Sequence, residues 1–345
     1  MTPVTFVIPV HNGERWLRQT LSAVLAQADG RPLEVLVIDD GSSDGSLAVV
    51  RSFEGVTILT GEGRGAAAAI NLGIRNAKHP VVCQVDQDVV PHPGWMGRLL
   101  AALDSDPTVA AAQGHYRSDP SSRVWARVMA LDLEDRYSRL NGPWVDQVCS
   151  GNSAYRVQSL GKVGLFDESF GYGYDNDLSY RLGTSGFKLV YCREATSTHH
   201  WRESLPDYLR QQFGVGYGRL ELVLKHRERV SGDQVSGLGM ILHAGLTFSS
   251  LCALALGAVV SALGGPGWIA ALAAAGFLTG LALERSWVGV RVALRSEDRA
   301  ALLFPLVHLA RDLAWSWAIV VWGFDRLRRQ PHRPAASMKR LKDPR

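Results

Sequence analysis

The sequence predicts an α/β domain with a Rossmann-like, mostly parallel sheet, followed by C-terminal membrane helices. Two observations predict it. Residues 1–235 alternate β-branched runs with helical stripes, an order that gives a parallel sheet with right-handed crossovers. The stretch from Gly237 to Leu283 then contains no Asp, Glu, Lys or Arg. That is too long for one soluble helix and long enough for two spans of about 20 residues each.

The elements follow in order. Val4-Thr5-Phe6-Val7-Ile8-Pro9-Val10 is a first strand, and because it starts almost at once no signal peptide is expected. Residues 14–27 form a helix with Trp16, Leu17, Thr20, Leu21, Val24 and Leu25 on one face. A second strand, 33–38, ends in Asp39-Asp40-Gly41-Ser42, and Ser43 or Asp44 caps a short helix. A third strand at 56–59, a helix at 66–77 and a fourth strand at 81–85 complete the pattern. Later signals are a helix at 176–182, capped by Asp175, and a strand at 188–192. Residues 205–229 read as a basic amphipathic helix with Tyr208, Leu209, Gln212, Phe213, Tyr217, Leu220 and Leu224 on its apolar flank. Two helices, 239–263 and 267–284, flank the breaker cluster Gly264-Gly265-Pro266-Gly267.

A third apolar stretch, 302–324, carries Arg311 and Asp312 near its middle. A charge at mid-membrane costs about 2.5–3.5 kcal/mol. This stretch therefore reads as an interfacial or partly buried helix, with Trp315, Trp317 and Trp322 at the headgroups and the basic tail on anionic lipid. The division expected is a catalytic domain at 1–203, an interface helix and linker at 204–236, and a hairpin at 237–285. A cytoplasmic linker and interfacial helix at 286–330 and a basic tail at 331–345 follow. Arg285, Arg291, Arg295 and Arg299 after the hairpin place the catalytic domain on the cytoplasmic face of a cell inner membrane, by the positive-inside rule.

Composition narrows the chemistry. The chain has 345 residues and a net charge of only +4, so its basic tail is a local feature that lipid explains; no nucleic-acid motif accompanies it. Four cysteines without C-x-x-C spacing suit buried thiols rather than a zinc site or disulfide frame. There is no G-x-G-x-x-G and no Walker loop, so neither a dinucleotide nor a P-loop site is signalled. Oligomeric state is not encoded in any feature of the chain.

What remains is a set of loops at the C-terminal ends of parallel strands, where open α/β sheets bind ligands. They are Pro9-Val10-His11-Asn12-Gly13-Glu14, Asp39-Asp40-Gly41-Ser42 and Asp86-Gln87-Asp88, with Gly61-Glu62-Gly63-Arg64-Gly65 nearby. Singly each is turn chemistry. Together they offer a ring for a base (His11), carboxylates for a base N–H or ribose, and an Asp86/Asp88 pair. Such a pair can hold a divalent cation while phosphate and water fill its other positions.

These motifs resemble the family-2 inverting glycosyltransferases of the GT-A fold. The likeness rests on 7–14, 37–44 and 86–88, on Gly151-Asn152-Ser153-Ala154-Tyr155-Arg156, on Gly164-Leu165-Phe166-Asp167-Glu168, and on 173–182. It covers roughly 1–200. The membrane hairpin and charged aromatic helix are similar to those of members that build exopolysaccharide on a lipid carrier, of the succinoglycan type.

The resemblance implies roles. Asp175 is the catalytic base. Pro9, His11, Asn12, Glu14, Asp39, Asp40, Arg64 and Asp86 serve the nucleotide. Asp88, with Asp86 and either His199 or His200, holds Mn2+ or Mg2+; adjacent strand residues point to opposite faces, so at most one histidine can reach. Tyr174, Asp177, Trp144 and Gln212 belong to the acceptor side, with Tyr172 a further guess there. Two departures stand out. Tyr174 occupies the place of an acidic neighbour of the base, and Gln211-Gln212-Phe213-Gly214 lacks the Arg-Trp of processive synthases. The implied activity is metal-dependent transfer from a nucleotide sugar, a UDP-sugar by the family pattern, to a lipid-linked glycan. The alternatives are a polyprenyl-phosphate sugar synthase and a catalytically silent nucleotide-binding scaffold of a glycan assembly complex.

Overall fold

The computed structural model describes residues 1–328; the tail expected at 331–345 lies outside the described residues. The first half alternates as expected: β1 (Val4–Val10), α1 (Glu14–Leu25), β2 (Leu33–Asp39), α2 (Ser46–Arg51), β3 (Val56–Thr60), α3 (Ala66–Asn76) and β4 (Val81–Val85). The chain continues through β5 (Val89–Pro91), α4 (Trp95–Asp104), β6 (Val109–Arg117), α5 (Val124–Ser138), β7 (Trp144–Val145), β8 (Asn152–Arg156), α6 (Val157–Val163), α7 (Tyr174–Thr184) and β9 (Lys188–His199).

The strands form one sheet in the order β3-β2-β1-β4-β8-β6-β9-β5, with β7 on β9. β1, β2, β3 and β4 are parallel, as are β6 and β9, while β8 and β5 run antiparallel to their neighbours. The loops after β1, β2, β4 and β9 therefore open on one edge. β1 shows why the sheet is covered on both faces. Phe6 and Ile8 pack with Leu17 and Leu21 of α1 on one side, and Val7 packs with Ala69 and Ile70 of α3 on the other. A two-residue side-chain period feeds two cores.

The C-terminal part comprises α8 (Leu205–Lys225), α9 (Leu238–Ala262), α10 (Trp268–Ser296) and α11 (Phe304–Leu327). α9 and α10 make the expected hairpin, and both are long and apolar enough to cross a membrane. Leu254, Leu256, Leu263, Trp268, Leu272 and Phe277 stand exposed on it.

Three expectations change here. The linker expected from 286 is not a break, because α10 continues to Ser296 and its basic residues bond elsewhere. Arg285 is buried against Asp312, while Arg291 and Arg295 reach Asp135 of α5 at 3.1 and 3.0 Å. The second change concerns the tryptophans, because the helix expected to be interfacial or partly buried is partly buried, α11 running alongside α8. Trp315 is buried and donates to Gln212 Oε1 (3.3 Å), and Trp322 donates to Glu221 Oε1 (2.5 Å), so neither indole N–H is left for headgroups; Trp317 alone is largely exposed. The mid-helix charges Arg311 and Asp312 satisfy each other and Arg285. Finally, the short second helix begins after Gly45, with Asp44 accepting from Ser46 N–H (3.0 Å) as a turn rather than a cap.

Candidate active site

Hydrogen bonds between neighbouring loops build the sheet edge. Gln87, the middle residue of the acidic turn, accepts from His11 N–H (2.9 Å) and donates back to the His11 carbonyl (3.2 Å), locking the β4 loop to the β1 loop. The His11 ring lies 3.2 Å from the Asp40 carbonyl, and Asp40 Oδ2 accepts from Gly65 N–H (2.8 Å) at the start of α3. Asn12 adopts a left-handed backbone (φ 53°) that Asn tolerates better than most residues. Its side chain accepts from Ser43 N–H at 2.7 Å.

The acidic pair is differentiated by its neighbours. Asp86 accepts from Gln84 Nε2 (2.9 Å) and lies against Gly151, where any Cβ would overlap its carboxylate. Burial first, and then the nearby Asp88 charge, pushes its carboxyl above the ordinary range. Asp88 is buried too, yet His199 Nε2 at 3.3 Å and Arg202 Nη1 at 3.7 Å outweigh that burial and hold it below the ordinary range. The two histidines separate clearly. His200 stacks on Trp16 (3.7 Å between centroids) and bonds Gln19, so its side chain is not a ligand beside Asp88, in contrast to the expectation that left both open. His199 faces Asp88, and its Nδ1 is buried without a hydrogen-bond partner.

Asp175 lies inside the first turn of α7, one residue past the helix start. The N-cap is Gly173 in the left-handed region (φ 83°), which corrects the expectation that Asp175 caps the helix. Its carboxylate accepts from Asn176 N–H (3.0 Å). Burial raises its carboxyl to about 6, with the Asp86 charge adding to the rise. Tyr174 lies beside it and receives the Ser150 hydroxyl at 3.5 Å.

One cleft of roughly 2030 Å³ joins these parts. Pro9, His11, Asn12, Asp40, Asp86, Asp88, Tyr172, Tyr174, His199 and His200 line it. Arg123, Arg202 and Arg210 stand along it, and its far wall is apolar: Leu209 and Phe213 of α8 with Leu313, Trp317 and Val321 of α11. Sequence reading missed Gln87, Arg123 and Arg202; only Gln87, inside the acidic turn, carried a local signal.

Other expected residues are engaged elsewhere. Glu14 accepts from Gly45 N–H (2.9 Å), Asp39 from Ser42 N–H (3.2 Å), and Arg64 pairs with Glu62 and Glu168, both at 2.9 Å. Asp177 is not an acceptor-side group: it is fully buried, paired within α7 to Arg181 (2.9 Å) and fastened to the end of α8 by Lys225 (2.7 Å) and His226 (2.8 Å). Gln212 is not one either, being held by Trp315. Trp144 pairs with Val190 near the start of β9, under Lys188, and His199 ends that strand. A bulge in β9 takes up three residues between them, so at about 3.3 Å per ladder step they are roughly 20 Å apart, too far for a shared site.

Among the described residues no group of three or more His, Cys, Asp and Glu is arranged to hold a metal ion by itself. Two carboxylates with one imidazole suit a different arrangement, in which a cation takes one or two protein oxygens and the rest from substrate phosphates.

Comparison with known proteins places this edge in context. Residues 5–164 match the model of glycosyl transferase family 2. The pre-mycofactocin glycosyltransferase of Mycobacterium tuberculosis is 31% identical over 68% of this chain; the chain spans half of that relative's length. The succinoglycan biosynthesis protein ExoA of Rhizobium meliloti is 24% identical over 91% of this chain and 93% of its own. A mannosyltransferase of Pyrobaculum calidifontis, solved with GDP-Man and Mn2+, shares the fold with a TM-score of 0.57 at 18% identity, covering 92% of this chain and 87% of that one. With its mixed, mostly parallel GT-A sheet, the chain carries a glycosyltransferase family 2 domain over residues 5–164.

Proposed function

We propose that this chain transfers a sugar, with inversion, from a nucleotide-sugar donor to a hydroxyl of a lipid-linked glycan. The observation that carries the reading is the single cleft running from the nucleotide loops past the Asp175 loop to an apolar wall on α8 and α11. A purely water-soluble acceptor has no use for Leu313, Trp317 and Val321.

His11, Asn12 and Asp40 seat the nucleotide. Asp86 and Asp88, with His199 beside them, would hold Mn2+ or Mg2+. The bound cation would offset charge growing on the departing diphosphate. Asp175 takes the proton of the acceptor hydroxyl as the oxygen attacks the anomeric carbon from the face opposite the diphosphate. A carboxyl raised to about 6 by burial is a stronger base than a solvated one and is still mostly ionised at neutral pH. Arg123, Arg202 and Arg210 receive the lipid phosphates. The α9–α10 hairpin anchors the domain at a membrane, and the basic residues that follow it favour the cytoplasmic face of an inner membrane.

A second reading, transfer directly to a polyprenyl phosphate, draws on the same three arginines. Phosphate needs no strong base, so assaying Asp175→Asn on both acceptors separates the two. Collapse on the glycan acceptor is expected. Full activity there removes Asp175 from the base role, and turnover on bare lipid phosphate alone favours the second reading.

A further inference from the structure

We propose that Tyr172 is the positioning residue for Asp175, and that a glycine slot in α8 holding Tyr172 ties the base to helix α11. The proposal rests on the base role given to Asp175 above.

The slot is visible as Gly214, Gly216 and Gly218, three alternate glycines within one helix. Each costs about 1 kcal/mol relative to alanine in a helix interior, so a close approach is the natural reason for keeping them. Gly214 and Gly218, four apart, share a face. A Cβ at Gly214 would overlap the Tyr172 ring, and one at Gly218 would lie 2.5 Å from the Tyr172 carbonyl oxygen. Gly216 faces the other way, where a Cβ would lie 3.0 Å from Trp315 Cγ of α11. α8 is thus one backbone thick between the base loop and α11.

The loop needs such a hold. Gly171 and Tyr172 line the main cleft on one side and a second cavity of about 450 Å³ on the other. Glycines flank Tyr172 at 171 and 173, and Gly173, in the left-handed region, starts α7 two residues before Asp175. With open space on both sides and permissive backbone at each end, the ring in its slot fixes the loop that leads into the first turn of α7, while Asp177 holds the helix body. A misplacement of about 1 Å at a reacting group can lower a rate on the order of 100-fold.

The test uses the full chain in lipid nanodiscs with a nucleotide-sugar donor and lipid-linked acceptor that support turnover. Gly218→Ala, away from the main cleft, and Gly214→Ala, on its wall, are both expected to lower kcat by 10- to 100-fold. Donor KM and the thermal shift produced by donor should stay within about twofold of wild type. The acid limb of the kcat profile is expected to move to lower pH, because a displaced Asp175 gains solvent. Tyr172→Ala, which adds no bulk to the slot and empties it instead, should reproduce that limb shift. Gly97→Ala, in α4 with open space around it, is the control and should behave as wild type. A wild-type rate and pH limb in Tyr172→Ala beside an inactive Asp175→Asn overturns the slot alone. Loss of donor stabilisation together with kcat in all three variants also overturns it, since the effect is then general. Full activity of Asp175→Asn instead overturns the base reading, and the proposal with it.

Discussion

Two sets of buried carboxylates in this molecule have opposite surroundings. At the junction of α5 with α10 and α11, each carboxylate has at least two basic partners. Asp132 meets Arg136 and His308, both at 3.0 Å; Asp135 meets Arg139, Arg291 and Arg295; Asp312 meets Arg285 and Arg311. Although burial works against it, Asp132 is driven far below the ordinary carboxylate range by Arg136 and His308. At the sheet edge burial first, and then a neighbouring carboxylate, pushes Asp86 and Asp175 up, while Asp88 is held down by His199 and Arg202. Burial is common to the two sets. What differs is whether the protein itself supplies the countercharge, and where it does not, the group is left for a proton or a ligand.

The largest test of this contrast is Asp175→Asn. Loss of a general base is worth about 10²–10⁴ in rate, so kcat on the glycan acceptor is expected to fall about 1,000-fold. Stability should move the other way. A carboxyl raised from 3.8 to about 6 on folding loses stability as pH rises through that window. The melting temperature of Asp175→Asn should therefore exceed wild type at pH 8, with the gap closing towards pH 4; no gap at pH 8 would mean that the carboxylate is well solvated.

Asp88→Ala comes next, with a loss on the order of 100-fold in turnover. The manganese-dependent part of donor-induced thermal stabilisation should vanish with it, and its persistence would move the cation elsewhere. On the junction side, Asp312→Ala leaves Arg285 buried without its partner and should cost about 3–5 kcal/mol in urea unfolding. Turnover per folded molecule should be unchanged, and an Arg285→Leu/Asp312→Leu pair should recover only part of the stability, since buried Arg311 also loses Asp312. The smallest effect separates two neighbours: His199→Ala is expected to weaken donor-plus-manganese binding about tenfold, and His200→Ala less than twofold.

Much of the fold was legible because local chemistry set it. Strands ended where β-branched runs met Asp, Asn and Gly, and the hairpin followed from a stretch without charges around Gly264-Gly265-Pro266-Gly267. Long-range pairing was not legible. Asp312 read as a membrane-penalised charge and Arg285, 27 positions away, as one of the basic residues after the hairpin, until the helices brought them together. Trp144 was misplaced because nothing local says that β7 pairs with the start of β9. The histidine pair was legible in parity but not in phase: the β5–β9 register, which pairs Val89 with His199, turns that ring toward Asp88. The glycines of α8 left a signal, three in alternate helical positions, whose meaning depended on Tyr172 and Trp315.

The apolar wall formed by Leu313, Trp317 and Val321 also changes how the enzyme's kinetics are to be counted. An acceptor that reaches that wall from the bilayer arrives by lateral diffusion in two dimensions. Its effective concentration is then its mole fraction among lipids, not its amount per volume. Diluting vesicles at fixed composition should leave the rate per enzyme unchanged, while diluting the acceptor with inert lipid should lower it.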